Sequence, residues 1–271
     1  MSSEPEPAQT TEVIEPLLPL SYANTLLAGV RLSWEQLGIV IGGSFLWFLS
    51  LVIAWSLGRS LTHHAPPGVT LGLDLVLFPV LASPSTAALT YALHYAAAGS
   101  IAGGDRLWAG VVQYTRLFLP LLLVETGIAA ILFTGAIFYL RLGGIGYLVG
   151  TLCLYLAGAW LAFSLLVPTV LVAQEEGVFD DPDHKATRGI VAAMRRSTIL
   201  FFSHAFLVFV VTLMVAAWLF LCVAFIVPFA ILWSGTSLAL MTVALRAMLV
   251  SQHILPAPEA ASLDPTKKKS R

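Results

Sequence analysis

The chain has 271 residues, 58% of them hydrophobic and only 11% charged, with a net charge of −1. A soluble domain of this size carries about 25% charge, so the composition excludes an ordinary soluble fold. A mean hydropathy of +0.87 leaves no room for a second large soluble domain. The small net charge identifies no partner, because the signs are segregated along the chain. The lipid bilayer is the expected partner, and no nucleic acid is expected.

Residues 1–16 carry Glu4, Glu6, Glu12 and Glu15 and no basic residue. They lack the basic flank of a secretory signal and read as disordered. Residues 17–32 are moderately apolar, with Ser21, Tyr22, Asn24 and Arg31 interspersed, and suit an amphipathic helix at the membrane interface. The whole of 1–36 thus precedes the membrane domain.

Six spans are expected over 37–255, because a hydrocarbon core of about 30 Å needs about 20 apolar residues. The first covers about 37–57, followed by an exposed loop with Arg59, His63, His64 and Pro66-Pro67. The second covers about 71–98 and contains Pro79 and Pro84. Proline removes a backbone donor and clashes one turn back, so a bend or break is expected near 78–84, with Ser83 as N-cap of the following helix. A polar connection over 99–116 leads to span three, about 117–140. The glycines at 143, 144 and 146 then turn the chain into span four, about 145–173.

The connection 174–198 is the longest between spans. It holds Asp180, Asp181 and Asp183, then Lys185, Arg188, Arg195 and Arg196, and a surface helix is expected over 186–196. The run 199–250 is too long for one span. Its divide is expected near Pro228 and Gly235, giving span five over about 199–226 and span six over about 236–252. Residues 256–271 form a flexible basic tail ending in Lys267, Lys268, Lys269 and Arg271. Ser83 to Leu89 and Ser234 to Leu240 echo one another, as repeats in transporters do. The fold expected is an all-α, polytopic transmembrane bundle.

With six spans, nearly all basic residues fall on the side of the termini, and only Arg59 and Arg141 fall opposite. The positive-inside rule then places both termini in the cytoplasm of a multi-pass cell-membrane protein.

No nucleotide, metalloprotease, hydrolase or calcium motif is present. His63-His64 and the acidic turn at 180–183 read as solvated loops. Cys153 and Cys222 lie in apolar runs without disulfide or metal spacing. No metal, cofactor or catalytic residue is expected. Ionisable residues inside spans are costly and carry more weight. They are Asp74, His94, Glu125, His204 and Arg246. Asp74 reaches the outer interface. The other four fall toward the cytoplasmic half and form a candidate polar cluster, with Glu125 facing Arg246. Either this is a buried pair that fixes helix packing, or it is a cytoplasm-facing cavity for a proton-linked site. Trp34, Trp108, Trp233, Tyr22, Tyr114 and Tyr147 read as interfacial anchors.

The order Phe78-Pro79, Pro84-Ser85-Thr86-Ala87-Ala88-Leu89, Trp108-Ala109-Gly110 and Tyr114-Thr115-Arg116 resembles the YesL family of bacterial integral membrane proteins over about 37–250. The chain departs from that pattern at Ser83-Pro84-Ser85-Thr86, where a Gly-Pro-Ala version is common, and in its Gly-rich loop. The resemblance implies six helices in a bacterial inner membrane. It also implies a link, in some members, to carbohydrate uptake, and it carries over no catalytic residue. The function expected first is an accessory or regulatory component of a transport system, meeting transporter subunits through the loop 174–198. The alternative is a small secondary transporter or channel built around Glu125 and His204.

Overall fold

The computed structural model describes residues 22–62, 66–100, 103–180 and 187–255. The acidic N-terminal stretch, His63, His64, Asp181, Asp183, Lys185 and the basic tail lie outside the described residues. Eight helices follow in order: α1 Tyr22–Glu35, α2 Leu37–Leu61, α3 Pro67–Ala97, α4 Gly104–Leu142, α5 Ile145–Glu175, α6 Ile190–Ser203, α7 Ala205–Ala224 and α8 Ile226–Ser251. Six of them (α2, α3, α4, α5, α7 and α8) are long and apolar enough to cross a membrane. The all-α polytopic bundle is therefore observed, with no strand among the described residues.

Large apolar side chains cover much of the outside of the bundle. Ile145, Phe220 and Tyr155 are 80%, 81% and 74% exposed. Water would penalise such a surface, whereas hydrocarbon is its matching solvent. Burial concentrates in α5 and α8, while α4 is the least enclosed span. α8 is the central helix, packed against α1, α2, α3, α5 and α7.

Small residues set the close approaches. A Cβ at Gly29 of α1 would lie 3.0 Å from the Leu240 Cα of α8, so α1 lies along α8. One at Gly110 of α4 would lie 2.8 Å from the Ala88 Cα of α3. Between α4 and α5, Gly143 and Gly144 adopt φ of 68° and 55°. That left-handed region favours glycine, and the turn needs it twice in succession.

Four expectations are corrected. Of the bend or break expected in span two, the break is absent: α3 runs unbroken through Pro79 and Pro84. Ser83 is no cap. Its hydroxyl donates to the Val80 carbonyl at 3.2 Å, the very carbonyl that Pro84 leaves without an N–H. The Ser50 hydroxyl of α2 donates to the next carbonyl, Leu81, at 2.9 Å. Borrowed hydroxyls thus keep a proline-bearing helix intact in lipid.

Second, most of the connection 99–116 is helical, because α4 begins at Gly104 behind an extended Gly103. Third, span five is not one helix from 199. α6 ends at Ser203, and His204 separates it from α7. Fourth, the divide before span six lies at Phe225. Pro228 sits in the first turn of α8, where a missing N–H costs nothing. Gly235 lies inside α8, and its N–H donates to the Ser44 Oγ of α2 at 2.8 Å. Gly235 is a contact point between helices and breaks nothing.

Candidate functional site

Glu125 stands apart from the other three residues of the expected cluster. Glu125 is 21 residues into the 39-residue α4. At 1.5 Å per residue it stands about 32 Å from the basic end, near the helix midpoint. Trp160 at the middle of α5 donates its indole N–H to the Glu125 backbone carbonyl at 3.1 Å.

His94, Arg246 and His204 lie at the basic end. His94 feels the charges of Glu176 and Arg246. His204 bridges Ser203 at 2.9 Å and Ser251 at 2.8 Å, tying the α6–α7 junction to the end of α8. The described ion pairs are Arg31–Glu35 and Arg188–Asp180. The expected Glu125–Arg246 pair does not form. The helix rise separates the two by many ångströms, since Arg246 sits near the end of α8.

A network at the basic end replaces that pair, and the sequence reading missed its centre. Glu176 caps α5, and its carboxylate accepts hydrogen bonds from the hydroxyls of Tyr95 on α3 and Tyr114 on α4. The Arg106 guanidinium lies 4.4 Å from the Tyr95 ring centroid. The Gly189 N–H donates to Glu175 at 3.0 Å, and Arg196 donates to the Gln174 side chain at 2.5 Å. Burial pulls the Arg196 guanidinium below its ordinary range, and Asp180 opposes that pull. These groups knit the ends of α3, α4, α5 and α6 together. Tyr114 reads from the sequence as an interfacial anchor; that the Glu176 carboxylate collects its hydroxyl together with that of Tyr95 was not legible there.

Glu125 faces a cavity of about 490 Å³. Its walls come from α2, α3, α4, α5, α7 and α8. Glu125 is only 7% exposed. Its Oε1 has no hydrogen-bond partner, and neither do Ser164 Oγ of α5, Thr212 Oγ1 of α7 and Ser234 Oγ of α8. All four residues line this one cavity. Other hydroxyls in its wall behave ordinarily: Thr86 donates to the Ala82 carbonyl and Ser237 to the Trp233 carbonyl. Pro168, also in the wall, removes the donor that would bond the Ser164 carbonyl.

Buried polar atoms nearly always have partners. Four without partners, from four helices, converge on a space that a ligand can fill. Among the described lining residues Glu125 is the sole ionisable group. Aromatic rings close one side. Trp47 stands 5.4 Å from Phe78, edge to face, and 5.2 Å from Trp233.

No family model, curated protein or solved structure matches the chain.

A second cavity, of about 510 Å³, lies between α1, α2, α7 and α8. It has no ionisable lining residue among those described. No group of three His, Cys, Asp or Glu able to hold a metal occurs among the described residues. Cys153 and Cys222 are free thiols.

Proposed function

We propose that this chain is a non-enzymatic, multi-pass protein of a bacterial inner membrane that binds a small solute in the Glu125 cavity and carries it across the bilayer. The observation that carries this reading is the convergence of Glu125, Ser164, Thr212 and Ser234, whose buried side-chain oxygens lack partners, on one cavity. Sites of that size, mostly apolar with a few placed polar groups, are typical of small-molecule binding. Intramembrane acids at a helix interface mark solute or proton pathways. The basic end, with Arg106, Arg188, Arg195 and Arg196, is assigned to the cytoplasm. Membership of a YesL-like group belongs to the same proposal, on the motif around Pro84 and Tyr114.

The test is flux in proteoliposomes, under a pH gradient, across a panel of small organic solutes. The intact protein should move at least one of them, and Glu125→Gln should abolish that movement. No flux by the intact protein for any solute would remove the reading.

One observation favours the accessory reading as a second. Along α6, Val191, Ile199 and Phe202 are 82%, 57% and 74% exposed. This apolar face overlaps the segment 174–198 in the chain and is the seat this second reading gives to a transporter subunit. Partner recovery that is unchanged after deletion of the loop 174–198 would rule that out.

A further inference from the structure

We propose that the Glu125 cavity selects a lipophilic organic cation, which it admits from the hydrocarbon between α5 and α7. This rests on the reading of the cavity as a solute site and names the class of solute.

Charge is the first argument. An ionised carboxylate isolated in an apolar interior costs several kcal/mol, so the charge of Glu125 must be neutralised by a proton or by a cation. No basic side chain is among the described lining residues to serve as the cation. A ligand with a positive charge completes what the protein leaves out. The binding step balances as an exchange. The carboxyl releases one proton, and the carboxylate then faces the bound cation.

Aromatic chemistry points the same way. Trp47, Phe78 and Trp233 form a continuous aromatic wall, with neighbouring centroids 5.4 and 5.2 Å apart. The faces of indole and phenyl rings attract cations, most strongly when water is excluded.

Size and polarity narrow the class. A bare metal ion takes six or more oxygen ligands at about 2–2.6 Å, and a space of about 490 Å³ is far too large to be filled that way. Beside six hydroxyl side chains, the remaining wall is mostly apolar, with Leu122, Leu165, Val215 and Leu219. Strongly hydrated ions would pay for their lost water against such a lining. A cation whose charge is spread over an apolar body would not.

The rim gives the route. Gly158 and Leu161 on α5 and Ala216 on α7 line the cavity and are themselves exposed. They lie among the lipid-facing residues Tyr155, Phe209 and Phe220. Toward the basic end the path is filled by a packed layer that includes Phe118, Leu121, Leu166, Val170 and Leu245.

The test titrates the full chain, in detergent, with tetraphenylphosphonium and with triphenylphosphine oxide, an uncharged aryl analogue. Saturable tetraphenylphosphonium binding is expected, weakened about thirtyfold or more by Glu125→Gln. Trp47→Ala should weaken it about threefold to thirtyfold. In weakly buffered solution the wild-type protein should release one proton per cation bound, a readout that stands even if the Glu125 variant fails to fold. Absence of proton release overturns the proposal, as does equal affinity for the uncharged analogue. Either result leaves the solute-site reading standing if Glu125→Gln still abolishes flux of another solute. Loss of both binding and all flux in the intact protein removes the two together.

Discussion

At the residue scale, two kinds of position stand out: a polar group with no partner and a glycine with no room. Glu125 is the first kind. Its residue type and its place in an apolar run mark it in the sequence, because a lone carboxylate there is expensive. Its company could not be read. Ser164, Thr212 and Ser234 look like any small residues in a membrane helix until four helices bring them to one cavity. Gly110 is the second kind. A Cβ there would lie 2.8 Å from the Ala88 Cα and 3.1 Å from the Ala87 carbonyl oxygen, and backbone cannot step aside. Gly110→Ala should destabilise the bundle by about 1–3 kcal/mol, the usual cost of overpacking. Gly127→Ala, with nothing within 4 Å of its Cβ, is the control and should be neutral or slightly stabilising. Thermal unfolding in detergent compares the two; equal melting would show that α3 and α4 do not pack as described.

At the element scale, the instructive helix is α3. Local rules argue for a break at Pro79 and Pro84. A hydroxyl one residue before Pro84, and another from α2, take over carbonyls along the stretch. Such a rescue depends on which helix lies alongside, so the span containing 71–98 was legible while its continuity was not. Ser50→Ala removes a donor to both Leu46 and Leu81. It should cost about 1–2 kcal/mol, read as a lower melting temperature. Ser203→Ala, whose hydroxyl lies at the α6–α7 junction, should change little of the α2–α3 packing. Accelerated amide exchange in α3 but not in α6 distinguishes the two variants. Unchanged exchange in Ser50→Ala would refute the rescue. The α6–α7 division shows the same limit. An apolar run across 199–226 carries no local signal at His204, whose two ring nitrogens are held by Ser203 and Ser251.

At the scale of the whole molecule, polarity is arranged in two layers. The basic end is tied by the carboxylate of Glu176, which holds Tyr95 and Tyr114 from two other helices. Away from that end the helices meet mainly through apolar contact, with single hydrogen bonds such as Gly235 to Ser44 and Ser50 to Leu81 crossing between them. A bundle fastened at one end and loosely packed between α5 and α7 in its middle can admit a ligand sideways without unfolding its base. The orientation belongs to this scale, since it depends on the crossings as a set. In a background lacking Cys153 and Cys222, a single cysteine at Ser262 should resist a membrane-impermeant maleimide in intact cells. One at Gly144 should react. The reverse pattern would overturn the assignment of the basic end to the cytoplasm.

Hydropathy and run length were enough to identify a helical membrane protein with six spans, because the transfer of backbone and side chains into hydrocarbon is governed by composition and length. It also marked Glu125 as out of place. The packing of the helices was needed to show that Glu125 stands apart from Arg246, that Gly235 joins α8 to α2, and that four unpartnered polar atoms share one hollow. Membrane helices share one apolar vocabulary, so hydropathy says how many cross and leaves open which faces meet. That choice is made by small residues and hydroxyls whose meaning comes from the neighbouring helix.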